Sequence, residues 1–215
     1  MPNAENQQDL YLQLKTEMNS VGRDVCQSLQ LALEALEKRD VESAEKVVSQ
    51  IEALHQREDA LKELCLKILA STNGNTPETR WTGCAHRILS LVGNSSAEIA
   101  AVAKQVEEIK KCPELPIARD LPEMGRMASQ MLERSIQTAL HPDAQDARRI
   151  MEEDSSLDRH KEDFIKKAIA FTADNPDSAE PVVPYVLVSR HLERIGDHAS
   201  HIAEEVAYCL RDPSA

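Results

Sequence analysis

The sequence is poor in aromatic residues and in glycine. Phe, Trp and Tyr together make up 3% of the 215 residues, and there are only 6 glycines. Residues that favour helices, such as Ala, Leu, Glu, Gln and Lys, are abundant instead. No window shows the alternation of apolar and polar residues that is typical of a strand. The composition therefore predicts an all-α protein.

Long apolar runs are also missing. The longest, residues 182–188, contains Pro184 and is far shorter than the ~20 residues that a membrane-spanning helix needs. The N-terminal residues do not show the charged-then-apolar pattern of a signal peptide. The odd number of cysteines, widely spaced and without a CxxC motif, predicts free thiols in a reducing compartment: Cys26, Cys65, Cys84, Cys112 and Cys209. We therefore expect a cytoplasmic protein.

Basic residues are outnumbered by acidic ones. The 25 Lys and Arg against 37 Asp and Glu give a formal net charge of -12, and no basic stripe interrupts the acidic background. A protein that binds nucleic acid needs clustered Lys and Arg against the phosphate backbone. This balance argues against nucleic acid as a partner.

Turn-forming clusters divide the chain into six helical runs. Residues 113–122 carry three prolines, which we expect to prevent a helix and to form a linker. Further turns are predicted at 73–77, 141–143 and 175–177, and Asp40 is a candidate N-cap. Three helices therefore precede the linker and three follow it.

The two halves of the chain resemble each other. Residues 44–47 correspond to residues 147–150 at an offset of 103, and this register continues without a gap to Ala70 and Ala173. A repeat of this length predicts two tandem three-helix bundles, stacked end to end. The expected boundaries are 1–112 and 123–215, joined by the linker.

Apolar residues follow a 3-4 spacing that is typical of bundle helices. The last helix carries the series Tyr185, Val188, Leu192, Ile195, Ala199, Ile202, Val206 and Cys209. The fifth carries Ala147, Ile150, Asp154, Leu157, Lys161, Phe164, Ala168 and Phe171, in which two members are charged. We expect Lys161 to extend its ammonium outward along its methylene stem, whereas Asp154 is too short to do so.

Two pairs of carboxylates are predicted to face each other between these helices. Asp154 and Asp158 are four residues apart, as are Glu193 and Asp197, so each pair shares one helix face. Their mutual repulsion and burial would be relieved by a multivalent cation. Oxygen ligands suit Mg²⁺, Mn²⁺, Ca²⁺ or Fe³⁺ better than a structural zinc. Gly196 lies between the second pair and indicates close approach of another group.

Two other interpretations of these residues stay open. The carboxylates could instead pair with neighbouring basic side chains, namely Arg159, Lys161, Arg190 and Arg194. His198 and His201 could add nitrogen ligands or hydrogen bonds around a metal, although helical histidines more often have structural roles.

The first half has lost the equivalent carboxylates. The corresponding residues are Ile51, His55, His86 and Ser90. The apolar series there has Ile51 at the position of Asp154, so we expect no acidic residue in this region to need a cation. The series consists of Ala44, Val47, Ile51, Leu54, Glu58, Leu61, Cys65 and Ile68. His55 and His86 could still bind a zinc, and this alternative stays open, although two histidines are too few ligands for a complete zinc site.

Residues 190–206, RHLERIGDHASHIAEEV, resemble the signature "ylERiGDHatNIAEev" of the PhoU family of phosphate-uptake regulators. Residues 153–158 resemble the acidic motif of that family, and residues 121–125 resemble the opening of its second repeat. His201 stands where the family usually has Asn. The resemblance covers essentially the whole chain.

The resemblance implies two tandem, spectrin-repeat-like bundles of three helices with metal clusters on E/DxxxD motifs. By position the ligands would be Asp154, Asp158, Glu193 and Asp197, holding Fe, Mg or Mn rather than zinc. It implies a homodimeric adaptor that represses the phosphate-starvation response. The implied partners are the ATPase subunit of a phosphate ABC transporter and a sensor histidine kinase at the inner membrane face.

Two other classes of function compete with this regulatory one. A di-iron carboxylate enzyme is also built on acidic bundle helices, but it requires Glu-x-x-His motifs on two helices. This chain has only one such spacing, from Glu52 to His55, in the half that lacks the acidic pairs. A scaffold or metal-storage protein is the remaining alternative. We therefore expect a protein that is not an enzyme.

Overall fold

Six long helices build the protein. The computed structural model describes residues 4–72 and 76–210, with side chains from residue 7 onward. The helices are α1 (Ala4–Lys38), α2 (Val41–Ser71), α3 (Pro77–Lys111), α4 (Leu121–Leu140), α5 (Ala144–Asp174) and α6 (Ala179–Cys209). Two 3₁₀ turns lie at Pro116–Asp120 and Pro176–Ser178. The described residues contain no strand, so the all-α prediction is confirmed, and none of these helices could cross a membrane.

Short polar side chains cap the helices at the predicted turns. The Asp40 carboxylate accepts a hydrogen bond from the Ser43 amide at 3.3 Å, and that of Asp143 accepts one from the Gln145 amide at 2.8 Å. Each satisfies an amide that has no partner within the first helical turn. The turn predicted at 73–77 ends where Pro77 begins α3, while residues 73–75 lie outside the described part of the chain.

The predicted linker is wrong at its C-terminal end. Residues 116–120 form a 3₁₀ helix and α4 begins at Leu121, so the chain is helical before residue 123. Pro122 is compatible with this because amides in the first turn of a helix need no helical partner. Ile117 and Leu121 are buried, and their burial stabilises the helical path between the bundles.

The two bundles lie side by side. α3 packs extensively against α6, and α1 packs against α4, while α2 and α5 lie on the outside. A single core of apolar side chains runs through both halves. The prediction of end-to-end stacking is therefore wrong, because the inner helices bury a second face that the 3-4 series does not identify.

Reciprocal close contacts join α1 to α4. A Cβ added to Gly22 would lie 2.5 Å from Ile136 Cγ2, and one added to Gly125 would lie 2.6 Å from Leu33 Cδ2. Gly125 and Ile136 are the repeat equivalents of Gly22 and Leu33 at the same offset of 103 residues. Each bundle thus presents a glycine and an aliphatic side chain to the other from equivalent positions, as in an interface with two-fold symmetry.

Ion pairs repeat this symmetry between α3 and α6. Arg87 Nε lies 2.6 Å from Glu205 Oε2, and Arg194 Nε lies 3.0 Å from Glu98 Oε1. Arg194 and Glu205 are the equivalents of Arg87 and Glu98 at an offset of 107 residues. The bundles are therefore related by an approximate two-fold axis that passes between these helices.

We predict that Gly22→Ala destabilises the protein by about 1–2 kcal/mol, because the new methyl group would collide with the branched, buried side chain of Ile136. Gly83→Ala is the matched control, since nothing lies within 4 Å of its Cβ position. That change should stabilise α3 by about 0.5–1 kcal/mol. Urea unfolding followed by circular dichroism measures both. An equal increase in the free energy of unfolding of both variants would show that α1 and α4 leave room for a methyl group at residue 22.

Candidate metal centre

The apolar series of α5 and α6 hold these helices against each other. On α5 its buried members are Ala147, Ile150, Leu157, Phe164 and Ala168. On α6 they are Tyr185, Val188, Leu192, Ile195, Ala199, Ile202 and Val206. Asp154 and Lys161 interrupt the α5 series and are only partly buried. This packing turns the polar residues beside the series toward one another.

Three of the four predicted ligands come together. One carboxylate oxygen each from Asp158, Glu193 and Asp197 lies within 4.8 Å of the other two. The Glu193 side chain is only 13% exposed, whereas that of Asp158 is 47% exposed. We call these three residues the carboxylate cluster. They open to solvent on the α5 side, which gives a cation a route of entry.

Asp154 lies beside the cluster rather than within it. Its Oδ1 atom is 3.7 Å from the position that a Gly196 Cβ would take, next to the buried side chain of Leu157. Burial, and then the negative charges of Asp197 and Asp158, raise the pKa of Asp154 to about 6. The missing Cβ of Gly196 makes room for the side chain of Leu157, and the charged form of Asp154 is disfavoured without a counter-ion.

Lys161 does not extend outward, so that expectation is wrong. Its ammonium donates hydrogen bonds to Glu193 Oε1 and, at 3.3 Å, to Asp158 Oδ1. Burial raises the pKa of Glu193, and the hydrogen bond from Lys161 counteracts this effect. The ammonium turns inward because two carboxylates, one of them largely buried, attract it more than solvent does.

The other basic residues that could have paired with the carboxylates have different partners or none. Arg194 pairs with Glu98 on α3, and Arg159 donates to Ser156 at 2.9 Å. Arg190 is exposed, and no ion pair within 4.0 Å involves it in the described residues. Lys161 is thus the one basic side chain within 4.0 Å of the carboxylate cluster in that part of the chain. Together with Asp154, the site therefore has four carboxylates and one ammonium group to balance their charge.

The histidines of α6 take no part in the carboxylate cluster. His201 is exposed, and its charge lowers the pKa of Asp154. Both ring nitrogens of His198 are buried without a hydrogen-bond partner among the described residues. Burial lowers the pKa of His198, and the charge of Glu98 on α3 opposes that shift. His198 therefore belongs to the contact between the bundles.

The equivalent region of the first bundle is not a metal centre of the same kind. Ile51 is buried, and Ser90 donates to the His86 carbonyl at 3.3 Å. Among the described residues, neither His55 nor His86 converges with two other potential metal ligands as the members of the carboxylate cluster do. Glu52, from the single Glu-x-x-His spacing, is exposed on α2.

Glu58 is an acidic residue whose burial we did not expect. It is 1% exposed and accepts a hydrogen bond from Ser96 Oγ at 2.9 Å. A Cβ on Gly93 would lie 2.8 Å from Glu58 Oε2. Burial raises the pKa of Glu58 above its usual value, which favours the neutral form. Its position in the apolar series, opposite the small residues Gly93 and Ser96, was the available signal.

Both bundles match the model of a known protein family. A model of the PhoU domain matches twice, over residues 18–109 and 121–206. The chain belongs to the PhoU family. The two matches coincide with the two bundles, and the second begins where α4 begins.

PhoU proteins of known sequence and structure align with nearly the whole chain. A Xylella fastidiosa protein called "Phosphate-specific transport system accessory protein PhoU homolog" is 26% identical over 92% of this chain and 83% of its own length. The Escherichia coli PhoU protein is 22% identical over 92% of this chain and 82% of its own.

Two crystal structures share the fold. PhoU from Pseudomonas aeruginosa gives a TM-score of 0.91 at 22% identity, covering 95% of this chain and 98% of its own. The phosphate transport system regulatory protein PhoU from Streptococcus pneumoniae gives a TM-score of 0.86 at 24% identity, and the match covers 93% of this chain and 94% of that protein.

We predict that Asp154→Asn stabilises the metal-free protein more at pH 7 than at pH 4. A carboxyl whose pKa rises from 3.8 to about 6 on folding favours the folded state below pH 4, and this contribution is lost as the pH rises through 6. The amide stays neutral at every pH and so avoids this loss. The free energy of unfolding of Asp154→Asn should therefore exceed that of the wild type by about 2 kcal/mol at pH 7. Urea unfolding with a chelator present measures it.

Asp163→Asn serves as the control because Asp163 is exposed on the same helix. It should change stability by less than about 0.5 kcal/mol at either pH. An equal gain from Asp154→Asn at both pH values would contradict the position assigned to this carboxylate.

Proposed function

We propose that the chain is a metal-binding regulatory adaptor of phosphate uptake, which represses the phosphate-specific ABC transporter and the phosphate-starvation response through protein contacts. The observation that carries this proposal is the double match to the PhoU domain across both bundles. The names of the relatives, as accessory proteins of phosphate-specific transport, support the same role.

The metal-binding part of the proposal is supported by the charge balance between α5 and α6. Asp154 and the carboxylate cluster offer only oxygen atoms, and Lys161 can neutralise one of the four charges. Oxygen-rich sites of this charge suit hard ions, so Fe, Mg or Mn fits better than zinc. Asp158, Glu193 and Asp197 would hold the ion, with Asp154 joining them. The ion would supply positive charge that ties α5 to α6.

The proposed partners are proteins rather than nucleic acid or lipid. They are the ATPase subunit of a phosphate ABC transporter and a sensor histidine kinase, with a second copy of the chain forming a homodimer. The net charge of -12 disfavours contact with phosphate backbones. α2 and α5 lie on the outside of the paired bundles and offer long polar faces for such contacts. We expect the protein to act in the cytoplasm, at the inner membrane face through these partners.

We predict that the protein binds manganese and that the double variant Asp154→Asn, Asp197→Asn loses most of that metal. Two of the four carboxylates would then be neutral amides, which bind hard cations weakly. Elemental analysis after dialysis against Mn²⁺ measures the content. Asp163→Asn with Asp174→Asn, two exposed positions on α5, is the control with the same change of charge. Unchanged metal in the first variant would remove these residues from the site.

We predict that deleting the gene raises expression of the phosphate transporter in phosphate-rich medium, because repression is lost. Quantifying the transporter mRNA against a complemented strain measures the effect. The ATPase subunit should also copurify with the wild-type protein. Unchanged expression together with no copurification would contradict the regulatory role and leave the storage alternative.

A further inference from the structure

Lys161 already supplies a cation to the carboxylate cluster. Its side chain is 22% exposed, and its ammonium contacts Glu193 and Asp158, two of the three converging carboxylates. The longer contact, to Asp158 Oδ1, is 3.3 Å. Because the lysine lies on the α5 apolar series one turn after Asp158, its stem is buried while its charged end reaches the cluster.

We propose that Lys161 is an internal counter-ion that competes with metal, so that an ion can enter the cluster only when the lysine ammonium leaves Glu193. This inference rests on the proposed metal-binding function. A metal ion and an ammonium repel each other strongly at the separation that sharing these carboxylates requires. The lysine is therefore a specificity-determining residue rather than a ligand.

The competition favours ions of high charge. Four carboxylates and one ammonium leave an excess of three negative charges if all are ionised, so a divalent or trivalent ion gains more Coulomb energy than the ammonium that it displaces. A monovalent ion offers no such gain over the tethered ammonium. Lys161 thus excludes Na⁺ and K⁺ from the cluster and sets the concentration at which a multivalent ion enters.

The first bundle shows the opposite distribution of charge. By the repeat register, Glu58 stands where Lys161 does, and His55 stands where Asp158 does. A basic residue at this position therefore accompanies the bundle that has gathered carboxylates. In the bundle that has lost them, the position is taken by a buried acid that is hydrogen-bonded to Ser96.

Replacing Lys161 with methionine tests this inference, because methionine keeps the apolar stem and removes the charge. Isothermal titration of the whole protein with Mn²⁺ should show at least ~10-fold tighter binding in Lys161→Met than in the wild type. Lys167→Met is the matched control, since Lys167 lies exposed on the same helix and pairs with Asp120 away from the carboxylate cluster. The Mn²⁺ affinity of Lys167→Met should differ from that of the wild type by less than about 3-fold. Lys161→Arg, which keeps the charge, should bind no tighter than the wild type.

Thermal unfolding without metal gives a second readout. Lys161→Met should lower the melting temperature, because it leaves the 13%-exposed Glu193 without its partner. Added Mn²⁺ should raise it more than in the wild type. If Lys161→Met does not fold, Lys161→Gln is expected to show the same effects.

The outcomes separate this inference from the proposed function. Equal Mn²⁺ affinity in the wild type and Lys161→Met would overturn the inference and leave metal binding intact. Binding by Lys161→Met alone would support the inference and show that the native chain uses the lysine in place of a metal. Binding by neither protein would overturn both.

Discussion

The long contact between α3 and α6 holds the two bundles in one body, with a smaller contact between α1 and α4 beside it. Buried apolar side chains along both helices form the centre of a core that the halves share. The pairs Arg87–Glu205 and Arg194–Glu98 border this contact in equivalent places. α2 and α5 pack against helices of their own bundle and keep a broad solvent face.

The carboxylate cluster depends on this arrangement. α6 is fixed from behind by α3, so Glu193 and Asp197 are presented from a rigid helix toward the outer helix α5. α5 is covered on one side only, which leaves Asp158 half exposed while Glu193 stays largely buried. Such a gradient of burial suits an ion that must both enter and be retained.

Much of the fold was predictable because it follows from local rules. The cap at Asp40, the turn at 141–143, and the apolar series of α2, α5 and α6 depend on neighbouring residues and helical periodicity alone. The side-by-side packing was not predictable in the same way. An apolar series shows that a face is buried but does not identify what covers it, and the inner helices have two such faces.

The sequence identified the acidic residues of the candidate site but not the hydrogen bonds and ion pairs between them and their neighbours. The spacing of four residues indicated the helix faces on which Asp158, Glu193 and Asp197 approach one another, whereas the group that approaches Gly196 closely is the side chain of Leu157. The direction of Lys161 and the hydrogen-bond partner of the buried Glu58 could not be read from sequence, because both depend on contacts across helices. Lys161 finds acceptors on α6, and Glu58 finds a hydroxyl donor on α3.

The reciprocal glycine contacts have a consequence for how the two halves could diverge. Gly22 against Ile136 and Gly125 against Leu33 form the kind of contact that a single-bundle protein would make with an identical partner. In such a symmetric pair every substitution appears twice, so the removal of an acidic ligand would empty both sites at once. When the two bundles belong to one chain, a substitution changes one bundle and leaves the other unchanged. One half can keep its carboxylates while the other exchanges them for Ile51, His55, His86 and Ser90, and the interface that unites them is preserved.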